Sequence, residues 1–144
     1  MHEHHFHTLN VMTPFPHSIG LDATLIEART FMKEHSIRHL PVTKDGELHG
    51  IITDHDIKLM LSPEFGYPDP KELMVFDVYV PEPYIVDIST RLSAIASTLV
   101  ERKIGSAIVT KNDKLVGILT TRDVCRALAK FLVDQENPQG GEVA

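Results

Sequence analysis

The chain has 144 residues, 42% of them hydrophobic, with 14 Lys and Arg against 20 Asp and Glu and a net charge of −6. This balance disfavours a sequence-independent grip on nucleic acid, which needs clustered cations facing phosphates. One cysteine, Cys125, excludes an intrachain disulfide, and no apolar run approaches the ~20 residues of a membrane span.

The length suits about one domain, enough to bury roughly two thirds of the surface its unfolded chain exposes. No basic segment followed by an apolar one opens the sequence, so a cytoplasmic protein without a signal peptide is expected. Cys125 sits in a helical pattern and reads as a small buried hydrophobe rather than a reactive thiol.

Residues 1–9 hold His2, His4, His5 and His7. Imidazoles at this density bind Zn²⁺, Ni²⁺ or Cu²⁺ when a scaffold fixes them. Without cysteine or periodicity, the favoured reading is a polar, poorly ordered arm. Metal binding through these histidines is the alternative.

Pro14 and Pro16 keep residues 11–19 extended. Asp22 is the expected cap of a helix from Ala23 to His35, with Leu25, Ala28 and Met32 on its buried face. Ile37, Leu40 and Val42 follow as a strand with an edge-like Pro41. Asp45-Gly46 turns the chain, Leu48 to Thr53 returns, and a helix runs from Asp54 to Leu61. The unit is β-α-β-β-α. Three prolines and a glycine then mark a linker over residues 63–71.

The second half repeats the first at an offset of sixty-seven residues. Leu25 corresponds to Leu92, Ile37 to Ile104, Val42-Thr43-Lys44 to Val109-Thr110-Lys111, and Leu48 to Leu115. Asn112-Asp113 replaces the first turn. Ser89 or Thr90 caps the second long helix, whose buried face is Leu92, Ile95, Ala96, Leu99 and Val100. The expected organisation is an arm at 1–9, repeats at 10–62 and 72–134 around the linker, and a flexible tail at 135–144. The fold class is α+β: two β-α-β-β-α repeats packed about a pseudo-twofold axis.

Within each repeat one stretch carries the chemistry. Gly50-Ile51-Ile52-Thr53-Asp54-His55-Asp56 returns as Gly117-Ile118-Leu119-Thr120-Thr121-Arg122-Asp123. Threonine and aspartate fall at a strand-to-helix junction, where unpaired backbone N–H groups hold an anion. Asp is also a favoured helix cap. Duplication in matching context favours ligand binding, and both roles can coexist.

This duplicated unit resembles a pair of cystathionine-β-synthase (CBS) domains, a Bateman module. The opening Val11-Met12-Thr13-Pro14 and the Ile37-Arg38-His39-Leu40-Pro41-Val42 segment resemble that family too. The resemblance implies binding of adenosine-containing ligands: AMP, ADP, ATP or S-adenosylmethionine. It implies that Asp56 and Asp123 accept from ribose hydroxyls and that Thr53 and Thr120 donate to phosphate. The base would lie near Thr13, Ile37, His39 and Pro41 in one site, and near Tyr84, Ile104, Ser106 and Ile108 in the other. Arg122 stands where the first repeat has His55, which gives the second site the stronger expected preference for phosphate. Val80 in place of Thr13 puts one hydroxyl contact of the second site in doubt.

The expected function is a regulatory sensor that binds such a ligand in the cleft between the repeats and signals to an unidentified partner protein. Homodimerisation through the helices flanking the cleft follows from the resemblance. No catalytic constellation or required cofactor is expected. The alternatives are metal binding by the His-rich arm, or a structural dimerisation module without ligand.

Overall fold

The first described elements are a short helix α1 (Thr8–Val11) and strand β1 (Thr13–Pro14). In this computed structural model residues 7–14, 16–62 and 70–137 are described. Next come β2 (Ile19–Gly20), α2 (Leu25–His35), β3 (His39–Lys44), β4 (Glu47–Thr53) and α3 (Asp54–Met60). A 3₁₀ turn (Pro70–Glu72) leads to α4 (Val75–Val78). The second copy is β5 (Ile85–Asp87), α5 (Leu92–Arg102), β6 (Ser106–Lys111), β7 (Lys114–Thr120) and α6 (Thr121–Glu136). Both copies are β-α-β-β-α and the protein is α+β.

Local chemistry sets the helix ends. Thr24, not Asp22, caps α2: its hydroxyl accepts from Glu27 N–H at 3.0 Å, and Glu27 accepts from Thr24 N–H at 3.3 Å. A threonine with glutamate three residues on closes both orphan donors, which Asp22 cannot do. In α5 the cap is Arg91, whose side chain makes no capping bond. Ser89 is drawn instead into a turn on Asp87, donating its N–H to that carboxylate at 2.9 Å. Helices α2 and α5 each stop at a left-handed residue, Ser36 (φ 54°) and Lys103 (φ 55°).

The helix faces follow the 3.6-residue period with two exceptions. Leu25, Ala28 and Met32 are buried in α2, and Ile95 and Leu99 in α5. Val100, expected on the buried face, is 78% exposed. One residue past Leu99 it has rotated by about 100° off the apolar stripe. Cys125 is also exposed, because the half-buried stripe of α6 runs through Val124, Ala127 and Phe131.

The hairpins form as their residues dictate. Asp45 and Gly46 have φ of 52° and 80°, and Asn112 and Asp113 have 52° and 63°. Positive φ at both central positions is the twist that two-residue hairpins need. Each hairpin is joined by a parallel strand, β2 on β3 and β5 on β6. Pro41 therefore sits in a central strand, not an edge one. It is tolerated because β2 reaches only Val42 and Thr43.

The chain forms two compact units, and their first residues are exchanged between repeats. One unit is residues 16–84; the other is residues 85–137 together with 7–14. In the second unit β1 adds to β7, with Thr13 opposite Ile118 and Pro14 opposite Gly117. In the first, Val80 bridges Ile51 through two backbone hydrogen bonds of 3.0 and 2.7 Å. The helices α1 and α4 stand sixty-seven residues apart and are equivalent. Thr8 is buried and donates to Thr90 O at 2.6 Å, while Val75 is buried in the first unit's core and donates its N–H to Ala23 O at 2.8 Å.

The motif glycines make this exchange possible. A Cβ on Gly50 would collide with the Val80 carbonyl and the Tyr79 ring, and one on Gly117 with the Met12 side chain. The incoming segment lies directly on the strand where a side chain would otherwise stand.

The first unit's core joins Leu25, Met32, Leu40, Val42, Ile52, Ile57 and Val75. In the second, Met12, Val86, Ile95, Leu99, Ile108, Val109 and Leu119 are buried. Each large aliphatic side chain so placed contributes about 1.5–3 kcal/mol.

Candidate functional site

The two glycine-to-aspartate stretches do lie at strand-to-helix junctions. Thr53 ends β4 and caps α3; Thr120 ends β7 and caps α6. Their backbones are extended, with φ/ψ of −115°/155° and −106°/164°. Each threonine hydroxyl accepts from the N–H of the aspartate three residues on, at 3.2 Å in both copies. Beyond this shared bond the junctions differ.

At the second junction the acid is held on every side. Asp123 is 5% exposed. Its Oδ2 accepts from Thr120 N–H at 2.9 Å and from the Thr120 hydroxyl at 3.1 Å. Its Oδ1 accepts from the Arg126 guanidinium at 3.1 Å and from the Thr13 hydroxyl at 3.5 Å. A buried carboxylate needs such partners, since leaving it unmatched costs more than any one bond returns.

The first junction is looser. Asp56 is half-buried, and among the described residues its carboxylate has no hydrogen bond or ion pair. The pairing there belongs to Asp54, which meets Lys58 at 2.9 Å.

The family resemblance puts Thr13 in the slot of Ile37, His39 and Pro41, with Val80 as its deficient counterpart in the second site. The strand exchange corrects this. The Thr13 hydroxyl stands beside Asp123 of the second repeat, and Val80 pairs with Ile51 of the first. The missing hydroxyl therefore falls to the Asp56 junction. Neighbouring candidates occupy the expected elements. Ile37 is half-buried and donates its N–H to Met32 O at 3.0 Å; Ile104 repeats this with Leu99 O at 3.1 Å. His39 pairs opposite Thr53, and Ser106 opposite Thr120. Pro41 and Ile108 are buried in their strands, and Tyr84 is half-buried just before β5. His55 and Arg122 are exposed in the first helical turns.

Arg126 escaped the sequence reading. Its signal was an Asp-to-Arg spacing of three on a helix, which puts both on one face. The guanidinium side chain is 66% exposed, so the bridge itself contributes little to stability. A cavity of about 390 Å³ opens beside it, lined among others by Asn10, Met12, Thr13, Asp123, Arg126 and Lys130. That volume lies in the range of small-molecule sites. A wider cleft of about 820 Å³ separates α5 from α6, with Ile88, Leu92, Ala96, Val124 and Leu128 on its walls. It holds none of the residues expected to bind a nucleoside; His7 lies at its edge. His2, His4 and His5 lie outside the described residues. Among the described residues no three His, Cys, Asp or Glu side chains gather as a metal site, and no helix is long and apolar enough to cross a membrane.

Two β-α-β-β-α units, each closed by the other repeat's leading segment and each with a capped Thr…Asp junction, define a tandem module. The family model of the CBS domain matches residues 9–62 and 75–130, so the chain belongs to the CBS domain family as a tandem pair. It is 29% identical over 118 residues to Hypoxic response protein 1 of Mycobacterium tuberculosis strain H37Rv, covering 81% of each chain. It is similar to the crystal structure of CBSX2 in complex with AMP, with 29% identity, a TM-score of 0.73, and coverage of 88% of this chain and 98% of that one. The CBS domain pair of protein MJ0100, solved with 5′-methylthioadenosine and S-adenosyl-L-methionine, shares the fold at 21% identity and a TM-score of 0.75, covering 84% of this chain and 98% of that one.

Proposed function

We propose that this protein is a non-catalytic regulatory sensor that binds an adenosine-containing ligand: AMP, ADP, ATP or S-adenosylmethionine. The observation that carries the reading is the Asp123 carboxylate, held by Thr120 and lining, together with Thr13, a cavity of about 390 Å³. A carboxylate with two acceptor oxygens suits the vicinal hydroxyls of ribose, and a hydroxyl at a helix N-terminus suits phosphate. The AMP bound by CBSX2, at 29% identity, supports the same ligand class.

Asp123 and Asp56 take the ribose hydroxyls; Thr120 and Thr53 face the phosphate. The base lies against the backbone of residues 37–41 or 104–108, lined by Ile37, His39 and Pro41 or by Ile104, Ser106 and Ile108 with Tyr84. Arg122 adds a permanent charge where His55 does not, so the second junction favours phosphorylated ligands more strongly. No cofactor is required. A second copy of the chain covers the exposed Leu128, Leu132 and Val133 of α6. Ligand binding shifts the packing of the module, which requires unequal affinity for two states, and a partner protein reads that shift.

Thermal unfolding with AMP, ATP, S-adenosylmethionine and adenosine tests the reading. A ligand at ~100 times its Kd adds about 2.7 kcal/mol to the folded state, a rise of several degrees. No rise with any of the four at millimolar concentration would overturn it.

A further inference from the structure

The contact between Asp123 and Arg126 raises a question that the proposed function leaves open. Both oxygens of the acid assigned to the ribose are already engaged, Oδ2 by Thr120 and Oδ1 by Thr13 and Arg126. Arg126 reaches it from one helical turn further along α6, at 3.1 Å. The two ends of this pair are unlike: the Asp123 side chain is 6% exposed and that of Arg126 is 66% exposed. Burial makes the carboxylate demand a partner, whereas exposure leaves the guanidinium free to take another. Further along α6, Lys130 and Asp134 line the same cavity with Asn10 and Thr13 and carry opposite charges. The first repeat has Leu59 where the second has Arg126.

We propose that Arg126 is an exchangeable latch on the second site. Without ligand its guanidinium sits on Asp123. When a phosphorylated nucleoside enters, the ribose hydroxyls take its place on Asp123, and Arg126 turns to the phosphate at the Thr120 end of α6. The trade keeps both charges matched throughout: the acid exchanges one donor for two hydroxyls, and the arginine exchanges a carboxylate for a phosphate, which its planar fork grips through two parallel bonds. An unphosphorylated nucleoside removes Arg126 from the acid and offers it nothing in return. The latch is therefore a specificity device, selecting phosphate by the new partner it gives Arg126, since the exposed guanidinium loses little on release to water. Arg122 adds attraction from the first turn without touching the acid. This inference rests on the nucleoside reading above.

The test is calorimetric titration of adenosine and AMP, with Asp56→Asn as the common background so that the second site alone is read. Unfolding curves without ligand confirm that each variant is folded. The latch predicts that Arg126→Gln lowers AMP affinity at least tenfold while adenosine affinity stays level or rises a few-fold. Arg126→Lys, which keeps the charge and loses the fork, falls between. In the background protein AMP, but not an equal occupancy of adenosine, moves the Arg126 Nε resonance to a phosphate-bound position. If both ligands bind and Arg126→Gln leaves the AMP-to-adenosine ratio unchanged, the latch is wrong and the nucleoside site survives. If neither ligand binds the background or the wild-type protein, the nucleoside reading fails and takes the latch with it.

Discussion

The Asp123 junction and the Asp56 junction grow from one repeated sequence and end in different states. Both have glycine, threonine and aspartate in the same register, and both threonines cap a helix with a 3.2 Å bond. Yet Asp123 accepts from Thr120, Thr13 and Arg126, while among the described residues no donor reaches the Asp56 carboxylate. The difference comes from outside the motif. The segment exchanged onto β7 brings Thr13, and the one bridging β4 brings Val80. One turn into the helix stands Arg126 in one copy and Leu59 in the other. A shared motif fixes where an acid stands; its neighbours decide whether it is held or available.

Substitutions that separate the two copies probe this contrast. The largest effect is expected at the glycines, where the neighbours differ in kind. Gly50→Ala drives a methyl into the Val80 backbone carbonyl, while Gly117→Ala meets the end of a flexible methionine. Urea unfolding should show a loss of ~3 kcal/mol or more for the first and about 1 kcal/mol for the second. Equal losses would mean that the two exchanged segments are seated alike.

Next come the acids themselves. Asp123→Ala removes a reciprocal cap and strands Arg126, at a cost of about 1–2 kcal/mol without ligand. Asp56→Ala removes no hydrogen bond to its carboxylate among the described residues and should stay within ~0.5 kcal/mol. A reversed order would break the contrast. Val80→Thr offers the first junction the hydroxyl it lacks. If that hydroxyl reaches Asp56 as Thr13 reaches Asp123, nucleoside affinity there should rise about fivefold, the worth of one hydrogen bond. Titration in an Asp123→Asn background measures it.

The smallest effect lies on Asp87, which has no counterpart because Gly20 stands there in the first repeat. The Ser89 hydroxyl, and then its N–H, hold the Asp87 carboxyl below its ordinary pKa. A depressed folded value means that the stabilisation is present above the unfolded pKa and fades as pH falls through the folded one. Ser89→Ala should move the Asp87 titration upward by NMR, with little change in thermal midpoint, because the group is fully exposed.

Much of this architecture was legible in the chain. The offset of sixty-seven residues placed both hairpins, because their turn residues dictate positive φ locally. It also placed Thr53, Asp56, Thr120 and Asp123 at helix starts. The exchange was not read, since Met12-Thr13-Pro14 announces an extended segment without saying which sheet receives it. A signal existed in Gly50 and Gly117, glycines within strands otherwise lined with aliphatic residues, which mark a close backbone approach. The caps of α2 and α5 were missed by two residues or fewer, because Asp, Ser and Thr crowd both helix starts and only geometry decides among them. Arg126 was passed over because an arginine on an amphipathic helix ordinarily belongs to its solvated side.

The exchanged segments also set an order of events during synthesis. Residues 16–84 contain everything their unit needs and can close once Val80 has left the ribosome. Residues 7–14 emerge before either hairpin yet have no docking strand until β7 has been translated, more than a hundred codons later. At roughly 5–20 residues per second the leading segment waits several seconds or longer, unplaced, for the last hairpin to appear. A segment made early is thus among the last parts of the nascent chain to find its seat.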